Sequence, residues 1–474
     1  MGRMTSSQNS QSKADFPAFP RLQTELKALL LALMAAGVGL AQTTIQTEQA
    51  HAQPVIQLSL RKAVEIALAP EGNSRVQLAM ESVQLAKTRT AQARAALLPN
   101  LDGYVSQKNQ TVNLQAFGIG IGPLAPFVRN FTLVGPFNTF DARANLGQSV
   151  LDFSAIRRFQ ASRSGVGQAQ AEDESARDQT REQVAKAYLF ALRAEASLEA
   201  AQSNVALSEA LLRLAANQKE AGTGTGIEVT RAKVQLANQK QLLLVAQNQR
   251  TLSYLQLLRS MGLNLEASLE LTDRLVYMPA DAANADVLLK TALDSRADWK
   301  AQQKREETQR LNYSAIKMER LPSVIGLADY GTIGTGVDQA VPTRTYGVSV
   351  RVPVFDGGRR DARRAEGFIQ FRQESIRTKD LRQQIELEIR TALDSLRSAD
   401  EQVKAATEGL NLAEDELASA RRRYEGGISN SVEFTDAQNR LERARDNHIS
   451  ALFNFNLAQI DLSVATGTIR QMLQ

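Results

Sequence analysis

The 474-residue chain contains no cysteine. That excludes a disulfide framework, a thiolate metal site, a cysteine nucleophile and a lipid anchor on a processed N-terminal cysteine. Histidine is almost as scarce: His51 and His448 are the only two, too few for a multi-histidine metal site and a thin basis for a Ser-His-Asp arrangement. Aromatic residues make up 5% of the chain, with Trp299 the single tryptophan, which is sparse for a compact enzyme core. No glycine-rich loop is followed by a helix carrying a phosphate-binding lysine. Adjacent acids such as Asp173/Glu174 and Asp415/Glu416 sit side by side on helical segments and cannot face each other across a substrate. The net charge is +5 with charged residues at 23% and well mixed, which gives no case for nucleic acid. Catalysis is disfavoured, and no catalytic, cofactor-binding or metal-ligating set is identified.

Long apolar runs are also missing. Ala28 to Leu40 is uncharged and apolar, but it is shorter than the roughly 20 residues that span a bilayer. It follows a polar, slightly basic stretch and precedes small residues, the pattern of an export signal. Residues 1–41 are read as that signal, with Ala50 and Ala52 offering cleavage as late as residue 52. Beyond residue 52 no segment reaches 18 uncharged apolar residues, so an exported chain without a transmembrane helix is expected.

What the chain has instead is a repeat. Glu220, Gly222, Glu228, Thr230, Ala232, Leu236 and Gly262 are matched by Glu425, Gly427, Glu433, Thr435, Ala437, Leu441 and Gly467, each 205 positions on. Upstream, Leu98-Pro99 answers Leu321-Pro322 at an offset of 223. The predicted organisation is a first repeat over 53–262, a linker or equatorial segment over 263–285, a second repeat over 286–467 and a short tail, 468–474.

Each repeat carries one very long helical stretch, about 155–218 and 359–423. In the first, Val184, Ala191, Leu198, Val205 and Leu212 recur every seven residues, with Ala187, Ala194, Ala201, Ser208 and Ala215 three places on. In the second the series are Ile389, Leu396, Val403, Leu410, Leu417 and Ala392, Ala399, Ala406, Ala413, Ala420. Alternating large and small seam residues describe closely approaching helices of a coiled coil. At 1.5 Å per residue each stretch reaches about 95 Å. Shorter helical patterns at 74–98, 228–261, 297–320 and 433–466 would stack in pairs to the same reach.

Between the helices the period falls to two. Tyr346, Val348, Val350, Val352 and Val354 alternate with Thr345, Gly347, Ser349 and Arg351, and 140–151 behaves likewise. Weaker strands open at Pro99 and Pro322, giving hairpins over 100–151 and 322–354. Strands of about ten residues with one apolar and one polar face suit a membrane β-barrel, although a soluble sheet with one wet face has the same period. Four strands cannot close a barrel, since the smallest use eight. Three chains would supply twelve, with 113–138 and 334–342 as external loops.

These features, together with Leu58-Ser-Leu60-Arg-Lys-Ala63-Val-Glu-Ile-Ala67-Leu68, Val352-Pro353-Val354-Phe355-Asp356-Gly357-Gly358 and the glycine-centred turns at 222 and 427, resemble the TolC-type outer membrane factors of bacterial efflux pumps and type I secretion. The resemblance spans the mature chain. It implies a mainly α protein with a β membrane part: a homotrimer whose 12-stranded β-barrel sits in outer-membrane lipid and continues as an α-barrel tunnel in the periplasm. A periplasmic adaptor and an inner-membrane transporter would dock at the far end, on tips marked by Gly222, Gly224, Gly426 and Gly427. The family's gating tyrosine and acids correspond to Tyr424, Glu433 and Asp436, with Glu228 at the first turn's acidic position. Its gating arginine falls on Ser429, so the same salt-bridge lock cannot form. The residues alone also allow a plainer account, because Glu228, Glu433 and Asp436 lie in first helical turns where the dipole favours acids by about 0.3–1 kcal/mol. The competing functional expectation is a periplasmic coiled-coil adaptor or structural protein without a pore.

Overall fold

The computed structural model describes residues 56–113, 116, 133–279 and 284–473. The expected export signal, residues 1–41, and the glycine-rich stretch 117–132 lie outside the described residues. The chain runs β1 (Ile56–Leu58), α1 (Leu60–Leu68), α2 (Ser74–Ala95), β2 (Asn100–Asn113), β3 (Leu133–Leu151), α3 (Phe153–Glu220), α4 (Gly226–Met261) and β4 (Leu269–Leu271). It continues α5 (Ala285–Ser295), α6 (Ala297–Met318), β5 (Ser323–Gly334), a 3-10 turn (Val337–Gln339), β6 (Val341–Arg351), α7 (Arg359–Glu425), α8 (Ser431–Ala465) and α9 (Ile469–Met472).

The repeat is visible element by element. Helix α3 has 68 residues and α7 has 67, so each is about 100 Å long. The heptad seams are the faces that pack: Val184, Ala191, Leu198, Ala194, Ala201, Ser208 and Ala215 are buried on α3, and Ile389, Leu396, Val403, Ala392, Ala399, Ala413 and Ala420 on α7. Alanine and serine at every seventh position let the axes approach, while the large residues fill the space between. Val205, Leu212, Ala406, Leu410 and Leu417 are only half-buried within one chain.

The short helices stack end to end along the long ones, and a glycine sits at each junction. Asn73 caps α2 and donates its side-chain amide to the Ser260 carbonyl at the end of α4, 2.8 Å away. Gly262, C-cap of α4, has φ +76, and a Cβ there would meet the Gly72 carbonyl oxygen at 2.6 Å. In the second repeat Gly467 has φ +71, and a Cβ would stand 2.9 Å from the Arg296 nitrogen. Arg296 closes that junction: its guanidinium donates to the Ala465 carbonyl (3.1 Å) and pairs with Asp298 (2.7 Å) and Glu388 (2.6 Å). Glycine is required here twice over, by the left-handed backbone and by the approach of a second helix.

Midway along the molecule β1 and β4 pair in parallel, with Ile56 opposite Leu269. Beneath them Tyr188 of α3 is fully buried and donates its hydroxyl to the Leu58 carbonyl and Asp273, both 2.9 Å. Leu60 N–H also donates to Asp273 (2.8 Å). The start of the chain and the inter-repeat segment are thereby tied to one long helix.

The remaining strands form one antiparallel sheet of order β2-β3-β5-β6. Two lengths depart from the sequence-based expectation. Strand β3 begins at Leu133 rather than 140, because a bulge at Gln110/Val112 lets it keep pairing with β2 up to Asn113. Strand β6 ends at Arg351, so Val352 and Val354 extend its alternation without ladder bonds.

The junction glycines carry a direct expectation. Gly262→Ala and Gly467→Ala each lower the thermal transition in detergent, read by helical circular dichroism, at a cost above about 1 kcal/mol from the left-handed backbone alone. Gly409→Ala, inside α7 with nothing near its Cβ position, raises it by up to about 1 kcal/mol.

Candidate functional site

Two regions combine geometry and chemistry: the sheet and the two helix-turn tips at the opposite end of α3 and α7.

The sheet's register sorts its side chains into two unlike faces. One face carries the row Leu101, Leu146, Ala328, Tyr346 across all four strands, with Val324 and Val350 below it. Those positions are largely exposed, Leu101 at 71% and Tyr346 at 82%. The other face carries the rows Asp102, Asn145, Asp329, Thr345 and Tyr104, Arg143, Gly331, Thr343. There Arg143 pairs with Asp141 (2.7 Å) and Asp329 (3.2 Å), and Tyr104 donates to Asp141 (3.0 Å). A Cβ on Gly331 would fall 2.2 Å from that of Arg143, so glycine makes room for the arginine. An exposed apolar face backed by a hydrogen-bonded polar face is the alternation of a lipid-facing barrel wall with a wet interior. Among the described residues both outer strands, β2 and β6, have a strand neighbour on one side only. Among the described residues no helix is long and apolar enough to cross a membrane.

The tips show one turn built twice. After α3, the N–H groups of Ala221, Gly222, Thr223 and Gly224 return to Asn217, Lys219, Gln218 and Gln218. After α7, those of Gly426, Gly427, Ile428 and Ser429 return to Arg422, Tyr424, Arg423 and Arg423. Gly222 (φ +74) and Gly427 (φ +70) supply the left-handed residue that lets each helix close on its own carbonyls. Gly426 is an ordinary right-handed C-cap, and a Cβ on Gly224 would press on Gln218 at 3.0 Å.

The predicted gate residues lie close to these turns, each with a partner inside the chain. Glu228 folds back to accept the Thr225 N–H (3.1 Å) in a capping box, so the helix-capping explanation applies to it directly. At the equivalent place in the second repeat Asn430 caps α8 instead, accepting from Val432 (3.1 Å) and Glu433 (3.3 Å). Its carboxylate thus released, Glu433 leans toward Arg423, 3.4 Å away. Asp436 pairs with Arg440 (2.7 Å), which also holds Glu416 (2.9 Å). These pairs are about half-exposed and stabilise by well under 1 kcal/mol each; their larger effect is on the local field.

Tyr424 is 2% exposed, packed among Leu211, Ala215, Ala232 and Phe434. Its ring lies 6.0 Å from that of Phe434, and its hydroxyl has no hydrogen-bond partner. Burial, reinforced by the nearby Glu228 carboxylate, pushes that hydroxyl's pKa up, so it stays neutral throughout the physiological range. Residues the sequence reading passed over line an open groove of about 700 Å³ between the starts of α4 and α8: Ile227, Val234 and Val432, together with Glu433 and Asp436. The available signal was three large apolar residues at the solvent-exposed starts of helices. Gln235 to Asn439 (3.2 Å) and Gln239 to Glu442 (2.8 Å) bridge the two helices beside it.

Within the chain Tyr424 therefore acts by packing. Tyr424→Phe leaves the thermal transition unchanged or raises it, whereas Tyr424→Ala destabilises by about 3–5 kcal/mol through the cavity it opens. A Phe variant that melts well below wild type would show that the hydroxyl is held by a strong bond.

Comparison with known proteins agrees with this architecture. The family model described as outer membrane efflux protein matches residues 66–263 and 288–468. The toluene efflux pump outer membrane protein TtgF of Pseudomonas putida is 26% identical over 298 residues, which span 60% of this chain and 60% of that protein. The alkaline protease secretion protein AprF of Pseudomonas aeruginosa is 22% identical over 426 residues, 85% of this chain and 83% of that one. The solved CmeC outer membrane channel of Campylobacter jejuni superposes with a TM-score of 0.75 at 17% identity, covering 86% of this chain and 85% of its own. With most of both repeats inside the matched segments, the chain belongs to the outer membrane efflux protein family.

Proposed function

We propose that the chain is a subunit of a homotrimeric exit duct through the bacterial outer membrane, serving a tripartite efflux pump or a type I secretion system. The carrying observation is the four-stranded sheet with an apolar face, a polar face and two open edges, mounted on helices about 100 Å long. In hydrocarbon each unpaired backbone N–H or C=O costs several kcal/mol, so open edges cannot stay open there. Edge must meet edge on another copy. Two chains would reach the eight strands of the narrowest barrels, whose interiors fill with side chains. Three give twelve strands and a wider lumen, in keeping with a face built from Asp, Asn, Thr and Arg. The half-exposed seam residues Val205, Leu212, Leu410 and Leu417 would find their neighbours in the same assembly. A pore-free coiled-coil adaptor offers no reason for such a sheet.

The duct supplies no driving energy, so transport relies on an inner-membrane transporter joined through a periplasmic adaptor. Both would engage the tips at Gly222, Gly224, Gly426 and Gly427, where the turns present backbone without side chains. The periplasmic aperture is assigned to Glu433 and Asp436, with Glu228 and Tyr424 fixing the hairpins behind them. Threefold repetition turns each acid into a ring, and like charges around a narrow aqueous opening favour cations. Arg423 and Arg440 temper that field, and Ser429 contributes no charge to it.

Two measurements test this reading. Light scattering of the detergent-extracted particle, with detergent subtracted, is expected to give three chains. A monomer, or release from membranes without detergent, would sink the duct. In planar bilayers Glu433→Ala/Asp436→Ala is expected to raise conductance and weaken block by divalent cations. If neither changes, those two acids do not line the aperture.

A further inference from the structure

The chain's charge is unevenly placed. The fifteen residues nearest the sheet on each of the helix segments around α2, α3, α6 and α7 are 85–99, 152–166, 308–322 and 355–369. Together they hold thirteen Lys and Arg against five Asp and Glu, a net of +8, whereas the whole chain carries +5. The remainder of the molecule is therefore net acidic, and the surplus of cations is gathered at one level.

That level is physically continuous. All four segments meet the same rim of the sheet, where Asn100 lies across from Gly147 and Ser323 from Arg351. Ion pairs knit them together: Glu319 holds both Arg158 and Arg363, and Arg320 pairs with Asp361. Asp356 is taken by Arg360 (2.6 Å), and Asp152 by the backbone at the start of α3. The acids at the rim are nearly all engaged by these contacts, and the cations are left in excess. Arg89, Arg94, Arg359 and Arg364 are exposed and make no ion pair among the described residues.

The collar starts where the apolar face stops. Along β6 the outward series Tyr346, Val348, Val350 continues through Val352 and Val354 to Phe355, the last two about nine-tenths exposed. Gly357 and Gly358, both at positive φ, then turn the chain into α7, whose first residue is Arg359. Aliphatic, then aromatic, then cationic is the order of a surface passing from acyl chains through the interface to headgroups. Guanidinium forks match phosphate geometry, and an anionic leaflet attracts clustered cations at its surface.

We infer that this collar binds anionic phospholipid headgroups of the periplasmic leaflet, seating the barrel at a fixed depth. The inference rests on reading the sheet as a membrane wall. In the test, the full chain in a neutral maltoside detergent is mixed with phosphatidylglycerol or phosphatidylcholine. The lipid retained after gel filtration is then counted by native mass spectrometry. Phosphatidylglycerol is expected to be retained about fivefold over phosphatidylcholine, with the preference collapsing in about 0.5 M salt. Arg89→Gln/Arg94→Gln/Arg359→Gln/Arg364→Gln is expected to abolish it while keeping the particle mass and helix content. Equal retention by wild type, or an unaltered preference in the variant, overturns the inference. So does a variant that changes anion permeability but keeps the lipid preference, since its cations would then line the tunnel. Failure of the duct itself is a different result: a chain that floats with liposomes of neither lipid.

Discussion

A backbone amide in hydrocarbon must find a partner, and among the described residues each outer strand of the sheet has a neighbour on one side only. Those outer strands are β2 and β6, 14 and 11 residues long. The proposed assembly follows from that constraint. In the proposed assembly the sheet is completed by copies of itself, the copies are aligned, and the long helices hold them. The long helices provide that support without needing a wide core of their own, because alanine or serine at every seventh position over 187–215 and 392–420 lets them pack closely there. Scarce aromatic residues and scarce glycine within the seams are two views of one requirement: close approach of the helices where the heptads run.

Duplication is what makes so long a support possible from one chain. A single pair of helices of this length would be joined to its strands at one point. Here each long helix is backed by two short ones meeting at a glycine, Gly262 or Gly467, and the sheet is crossed between repeats by the β3–β5 ladder. Tyr188, Asp273 and Leu58 fasten the middle. Arg296 fastens the second junction through a carbonyl and two carboxylates, whereas the first relies on Asn73 and close backbone contact. The two junctions thus reach one geometry by different chemistry, which is why a search for identical residues finds the glycines and misses the arginine.

Much of this was legible in the sequence because it depends on period and spacing. The heptads of α3 and α7, the 205-residue offset and the alternation from Tyr346 are properties of a line of residues; the structure packs most of the seam and pairs the alternation as far as Arg351. Register is not such a property. Nothing in residues 133–139 alternates strongly, so the first half of β3 is a strand only because β2 lies beside it. The same holds for the faces: that Arg143 meets Asp329, 186 positions away, and that Gly331 must be glycine to admit it, emerges only once three strands are aligned. Charge behaves likewise. A net of +5 looks diffuse along the sequence, yet four segments far apart in the chain bring a surplus larger than that to one rim.

The tips show where sequence similarity and chemical equivalence part. Glu228 and Glu433 occupy the same place in the repeat, beside turns with matching hydrogen bonds. Thr225 caps α4 with a hydroxyl and draws Glu228 into the backbone; Asn430 caps α8 with its own carbonyl and leaves Glu433 to the solvent and Arg423. One residue difference at a helix N-cap therefore separates two homologous acids: Glu228 is spent on its own helix cap, and Glu433 faces Arg423. In an assembly of repeated hairpins, that alternation would make charge around the tip follow the symmetry of the chain rather than of the repeat. Under the proposed reading the acids of the second hairpin would set the field of the opening, while Glu228 of the first stabilises its own helix start.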